Sequence, residues 1–221
     1  MNVVICGLNG AMGKVLQEEI KTYENINLIG SLSPRNKNYG QNIVEKPSIV
    51  IDFSNTENLD FLLEYAVEKK CALLICTTGF NDEQKNKIKE TGNLIPIMLC
   101  SNTSIGINVF RKILKTISEE LKDFDIDLVE RYHNKKKDAL SGTTNTMAED
   151  IVKATGRDVK THALRAGTIA GEHTVIFSGV DETLEIKHTA FSKKIFARGA
   201  IDLAMKLYKK EAGYYLTEDF F

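Results

Sequence analysis

Between residues 130 and 144 the chain reads Glu130-Arg131-Tyr132-His133-Asn134-Lys135-Lys136-Lys137-Asp138-Ala139-Leu140-Ser141-Gly142-Thr143-Thr144. A histidine and three lysines stand just ahead of a Ser-Gly-Thr turn that starts a helix. The arrangement suits a small polyanion, because N–H groups at a helix start accept a carboxylate and lysine charge counts for more in a closed site than in water. Lysine also becomes a proton donor when burial lowers its pKa. A solvated lysine loop followed by a helix cap has the same composition, so both readings stay open on this segment alone.

A second group lies near the N-terminus, where Gly7-Leu8-Asn9-Gly10-Ala11-Met12-Gly13 separates an apolar run, residues 2–6, from an amphipathic stretch, residues 13–23. Strand, glycine turn and helix form the context of a dinucleotide fingerprint. Pyrophosphate needs a tight turn, backbone at close approach and unpaired N–H groups at a helix start. Asn9 stands where a middle glycine is usual; asparagine tolerates positive φ better than most residues, so the turn is still possible. A glycine turn that only packs helix on strand would read the same way. NAD-type sites usually carry an acid at the end of the second strand. Here Leu32-Ser33-Pro34-Arg35-Asn36-Lys37 offers none. Ser33 and Arg35 with Lys37 suit a 2′-phosphate, so NADPH is expected to be preferred or accepted, although a solvated loop has the same residues. Thr77-Thr78-Gly79-Phe80 and Ser101-Asn102-Thr103-Ser104 lie just past the fourth and fifth apolar runs, where open parallel sheets place ligands.

The elements that carry these groups follow from periodicity. Continuous apolar runs at 2–6, 28–32, 48–53, 71–76 and 94–99 resemble strands buried on both faces. Ser54 and Glu57 have capping-box spacing and are expected to launch a helix through Val67; Asn81 and Gln84 open another. Five repeats of strand and crossover make a doubly wound parallel sheet. After Asn102 the pattern changes to a helix at 105–121, a strand at 125–132, a helix at 143–154, and alternating strands at 174–177 and 183–188. Alternation belongs to sheets covered on one face. The reading is therefore α/β: a Rossmann-like doubly wound sheet over residues 1–103, completed by 194–221 with a last helix at 195–208, and an α+β domain over 104–193 with a mostly antiparallel or mixed sheet.

With 221 residues, 43% hydrophobic and 27% charged, the chain buries a core without disulfides or metal. A formal net charge of -1 argues against a nucleic-acid coat. Cys6, Cys71, Cys76 and Cys100 sit in apolar runs without Cys-x-x-Cys spacing and read as reduced core residues, with no metal site expected. No run reaches the ~18 apolar residues of a membrane span, and no basic flank opens a signal peptide, so a cytoplasmic protein is expected. His173 and His188 read as strand histidines with satisfied hydrogen bonds, His173 positioning its loop; His162 has no assigned role.

Taken in order, the Gly7–Gly13 turn, the Thr77-Thr78-Gly79-Phe80 loop, Ser101 to Asn108, Glu130 to Thr144, Arg165 to Thr174, Ala190 to Lys193 and Phe196 to Ala200 resemble the dihydrodipicolinate reductases. The resemblance implies a cytoplasmic homotetramer, assembled through the sheet of its second domain, in the diaminopimelate route to lysine. It implies hydride transfer from NADPH or NADH to a cyclic dicarboxylate, 4-hydroxy-tetrahydrodipicolinate, giving tetrahydrodipicolinate. By position, Gly7, Asn9, Gly10, Ala11 and Met12 would hold the pyrophosphate, and Thr77, Thr78, Gly79, Ser101 and Thr103 would line the path to the nicotinamide. His133, Lys136, Ser141, Gly142 and Thr143 would receive the carboxylates, with Lys136 the proton donor. Two positions depart from the family pattern. Tyr132 replaces the first of two adjacent histidines; a phenol with reference pKa of about 10 donates a hydrogen bond but is a poor base. Leu140 replaces a proline, so the loop is expected to be less rigid. These departures also motivate a nucleotide-sensing homologue that has lost chemistry, and an aspartate-dehydrogenase-like oxidoreductase shares the nucleotide domain.

Overall fold

The computed structural model describes all 221 residues. Along the chain the elements are β1 (Asn2–Cys6), α1 (Ala11–Ile20), β2 (Asn27–Leu32), β3 (Ile49–Asp52), α2 (Leu59–Lys69), β4 (Ala72–Ile75), α3 (Asp82–Thr91) and β5 (Pro96–Leu99). They continue as α4 (Ile105–Glu120), β6 (Asp125–Tyr132), α5 (Gly142–Thr155), β7 (Lys160–Arg165), β8 (Gly171–Ser178), β9 (Thr183–Ala190), α6 (Lys194–Leu207) and β10 (Gly213–Tyr215). Contacts divide the chain into two units, Met1–Ser104 with Lys194–Phe221, and Ile105–Lys193.

The first unit is a six-stranded parallel sheet in the order β10-β5-β4-β3-β1-β2. Successive strand residues point to opposite faces, so Val3 and Ile5 of β1 join α1 and α6 in one core, while Val4 and Cys6 join α2 and α3 in another. Burial on both faces is why the strands read as unbroken apolar runs. The sixth strand, β10, escapes the sequence reading because Gly213-Tyr214-Tyr215 is short and only half-buried at the sheet edge.

The capping box at Asn81 and Gln84 forms, with the Asn81 side chain accepting from Gln84 N at 2.8 Å and the Gln84 side chain from Asn81 N at 3.1 Å. The one expected at Ser54 and Glu57 does not. The Ser54 hydroxyl donates instead to the buried Asp52 carboxylate, and Asn55 caps a 3-10 turn, Thr56–Asn58, before α2 begins at Leu59. The Ser54 oxygen accepts from Asn58 Nδ2 at 2.9 Å in place of a backbone N–H of the helix start. All four cysteines are free and buried, and no helix is long and apolar enough to cross a membrane.

The second unit is a mixed four-stranded sheet in the order β7-β6-β8-β9, with β6 and β7 parallel and the other pairs antiparallel. Phe110, Leu114, Met147 and Ile151 of α4 and α5 bury Leu128, Val175 and Phe177 on one face. Ion pairs Arg131–Glu172 and Lys187–Glu172, and a 2.7 Å hydrogen bond between His162 Nε2 and Asp127 Oδ1, occupy sheet residues that this core does not take.

Candidate active site

The Gly7 turn leaves β1 at its carboxyl end. Gly7 has φ +87, and a Cβ there would stand 2.4 Å from the Phe53 carbonyl oxygen; a Cβ on Gly13 would stand 2.2 Å from the Gly7 carbonyl oxygen. Only glycine fits either position, because the turn is pressed between the end of β3 and the first turn of α1. The turn forms with Asn9 in place: Gly7 supplies the left-handed residue, and the middle position needs none. Gly10 is the N-cap of α1, and no side chain caps that helix. Its first-turn N–H groups, at Ala11 and Met12, are therefore open to an anion, and the glycine cradle fits a nucleotide pyrophosphate.

Beside this turn lies a cleft of about 490 Å³ lined by Met12, Phe53, Ser54, Asn55, Thr77, Thr78 and Gly79 among others. Asp52 is fully buried at the end of β3. Its Oδ1 accepts from Ser54 N at 3.1 Å and from the Ser54 hydroxyl, its Oδ2 is unpartnered, and burial pushes its pKa up. Burial, with the Asp52 charge, also raises the Cys6 thiol to about 12, so Cys6 is no nucleophile. Ser54 N donates a second bond to Thr77 Oγ1 at 2.9 Å, tying the loop after β3 to the loop after β4. Thr78 and Gly79 are exposed on the rim, and nothing stands within 4 Å of where a Gly79 Cβ would lie. Ser33 accepts from Asn36 Nδ2 at 3.0 Å in the turn after β2, where Arg35 is exposed. Ser101 is exposed past β5, whereas Thr103 is buried and donates its hydroxyl to Phe196 O at 2.6 Å, clamping the start of α6.

In the second unit, Glu130 at the end of β6 is fully buried. Its Oε2 accepts from Ser141 N at 2.9 Å and from the Thr144 hydroxyl, and its Oε1 pairs with the Arg165 guanidinium. Burial alone would raise its pKa, but the hydrogen bonds from Thr144, Ser141 and Arg165 outweigh it and hold the carboxyl below its ordinary value. Arg165 also donates to the Asp138 and Ala139 carbonyls at 2.9 and 3.1 Å. The loop that lacks its proline is thus fastened by an arginine from β7.

Ser141 is the N-cap of the 14-residue α5, its Oγ accepting from Thr144 N at 3.1 Å. Open space faces Gly142 at the tip of that helix. Tyr132 is partly buried, which raises its pKa against the opposing effect of the Ser141 and Thr143 side chains, and its phenol oxygen lies 3.4 Å from His173 Nε2. Lys136 Nζ stands 4.9 Å over the Tyr132 ring and 2.8 Å from Asp138 Oδ2, an ion pair that lowers the Asp138 pKa. His133 is half-buried with Nδ1 unpartnered, and its carbonyl accepts from Lys136 N at 3.1 Å. The fold therefore gathers Tyr132, Lys136, Ser141 and Thr143 around one phenol. Sequence reasoning gave no role to Glu130, Arg165 or Thr144, which hold that group in place. Their signal was present as an acid and a base in motifs 35 residues apart, but only strand pairing of β6 with β7 makes them neighbours.

Two family models divide the chain between them: dihydrodipicolinate reductase, N-terminus, over residues 1–103, and dihydrodipicolinate reductase, C-terminus, over residues 106–221. The chain belongs to the dihydrodipicolinate reductase family. Members are NAD(P)H-dependent oxidoreductases, and the first unit is their Rossmann-type nucleotide domain. A curated relative from Clostridium tetani, named 4-hydroxy-tetrahydrodipicolinate reductase, is 37% identical across 97% of this chain and 94% of its own. A relative of the same name from Campylobacter jejuni is 35% identical over 100% and 98%. The fold matches a dipicolinate-bound dihydrodipicolinate reductase from Paenisporosarcina at TM-score 0.85 and 16% identity, covering 100% of this chain and 99% of the other. A diaminopimelate dehydrogenase from Corynebacterium glutamicum, at TM-score 0.62 and 10% identity, shares the general architecture over 99% and 93%.

Proposed function

We infer that the chain reduces 4-hydroxy-tetrahydrodipicolinate to tetrahydrodipicolinate, a step of lysine biosynthesis through diaminopimelate. The observation that carries this reading is the group at the start of α5, where an open helix tip, the Thr143 hydroxyl and the Lys136 ammonium stand around Tyr132. A planar molecule with two carboxylates matches that set of donors. The Paenisporosarcina neighbour carries dipicolinate, a ligand of this class.

NADPH or NADH, when bound, supplies the hydride. Gly7, Asn9, Gly10, Ala11 and Met12 hold the pyrophosphate against the uncapped start of α1. Ser33 and Arg35 meet the adenosine ribose, while Thr77, Thr78, Gly79, Ser101 and Thr103 line the way toward the nicotinamide. His133, Lys136, Gly142 and Thr143 receive the substrate carboxylates, and Ser141, whose N–H and hydroxyl are committed to Glu130 and Thr144, shapes the helix start beneath them. The hydroxyl of 4-hydroxy-tetrahydrodipicolinate departs as water, so delivery of the hydride is balanced by one proton, and Lys136 gives it. Tyr132 keeps its proton and serves as a hydrogen-bond donor. We place the enzyme in the cytoplasm as a homotetramer joined through the second sheet, a state that light scattering at several concentrations would reveal. Oxidation of NADPH on adding freshly made product of the preceding synthase tests the activity directly; cofactor binding without turnover would reject it in favour of a sensing role.

A further inference from the structure

Glu130 touches neither ligand in the reading above, yet it commands the cluster around Tyr132 through hydrogen bonds whose directions can be worked out one by one. An ionised carboxylate only accepts, so the Thr144 hydroxyl, bonded to Glu130 Oε2, must donate its single proton there. The 3.0 Å contact between the Ser141 and Thr144 hydroxyls then has Ser141 as its donor. With that proton committed, Ser141 Oγ has only its two lone pairs left, and it accepts from Thr144 N at 3.1 Å and from His173 Nε2 at 3.4 Å. His173 therefore carries its proton on Nε2. The opposite tautomer would bury an Nδ1–H, an atom that has no partner, and an unpaired buried donor is costly. Burial holds the ring neutral, with a pKa lowered to about 4. The same Nε2–H faces the Tyr132 phenol oxygen at 3.4 Å, so that oxygen accepts from the protein and leaves its own proton for Thr143 or a bound molecule.

We propose that Glu130 acts as a positioning residue that sets the direction of this chain of hydrogen bonds, through Thr144, Ser141 and His173, so that Tyr132 meets the substrate as a donor. The proposal deepens the reading of the site given above and rests on it. It also accounts for how a tyrosine works where the family has a histidine: the phenol needs its acceptor side occupied, and a neutral Nε2–H occupies it.

The test uses Thr144→Val, which frees the Ser141 proton to turn on His173, with Thr144→Ser as the conservative control. In ¹⁵N-labelled enzyme, long-range proton–nitrogen spectra, assigned with His173→Asn, should show His173 as the Nε2–H tautomer in the wild type and in Thr144→Ser, and a shift toward Nδ1–H in Thr144→Val. Calorimetry with NADPH present should find pyridine-2,6-dicarboxylate bound about three- to tenfold more weakly by Thr144→Val and by Tyr132→Phe, the range expected for one neutral hydrogen bond. The double variant should be no weaker than either single one. An Nδ1–H tautomer in the wild type, unchanged binding in a folded Thr144→Val, or additive losses in the double variant would each overturn the proposal. Failure of the reductase reading would show separately, as absence of NADPH oxidation by the wild type, and the tautomer would still decide the matter.

Discussion

Replacing Gly7 by alanine tests the claim that the nucleotide turn is shaped by packing before any ligand arrives. The residue has φ +87, where an L side chain costs about 1–2 kcal/mol. Its Cβ would also stand 2.4 Å from the Phe53 carbonyl oxygen and 3.1 Å from Ser54 Cα, both backbone atoms that cannot rotate away. Forcing that overlap apart adds about 1–3 kcal/mol. The sum, about 2–5 kcal/mol, is a large share of an ordinary domain's stability and lowers the melting temperature by roughly 5–20 °C in a chain of this size. Gly10→Ala is the companion. Gly10 has φ -73, and a Cβ there meets only the Gly7 carbonyl oxygen, at 3.2 Å. It should cost about 0.5–1 kcal/mol as an altered N-cap, yet place a methyl group where the pyrophosphate must approach. Thermal melts with and without NADPH separate the two effects: Gly7→Ala melts early in either condition, and Gly10→Ala melts near the wild type but loses the upward shift given by NADPH. A Gly7→Ala protein melting within about 3 °C of the wild type would refute the packing argument.

Steady-state assays should find that Lys136→Ala loses roughly 10²–10⁴ in turnover, the range for a general acid, whereas Tyr132→Phe loses about three- to tenfold; equal, near-total losses would reverse the assignment of the proton. Because no carboxylate follows β2 and Arg35 is exposed there, the specificity constant for NADPH should equal or exceed that for NADH, and a tenfold advantage for NADH would contradict the role of Arg35. His173 titrates near 4 when folded, against about 6.5 in an unfolded chain. Between those values the unfolded state binds the extra proton, so stability falls as pH drops through 6.5 toward 4, by about 3 kcal/mol in all. Denaturant melts should lose that slope in His173→Asn, and an unchanged slope would place the titration elsewhere.

Much of this molecule is written locally. Runs such as Val3-Val4-Ile5-Cys6 are apolar without a break because both faces of the sheet are covered, and the residue order alone displays that pattern. Glycines at 7, 10 and 13 announce the turn for the same reason: their spacing matches one strand exit and one helix start. The box at Asn81 was legible because its partners are three residues apart, with no competitor nearby. At Ser54 the same local logic failed, since its hydroxyl is turned to the buried Asp52 carboxylate and its oxygen accepts from the Asn58 side chain, two partners that the capping-box spacing does not show. Which residue of the glycine turn is left-handed was also settled outside the turn, at Gly7, where Phe53 presses on it.

What the sequence determined by itself was thus the set of chemistry-bearing segments and their order, because each segment is contiguous and carries its own turn or cap. Tertiary structure alone decided their support. Glu130, Arg165 and Thr144 meet because β6 pairs with β7 and runs out toward the start of α5, and His173 comes to Tyr132 because β8 pairs with β6. These partners lie 14 to 41 residues apart in the chain. The hydrogen-bond directions they impose follow from shared burial and from the count of protons, quantities that exist only once the strands have paired.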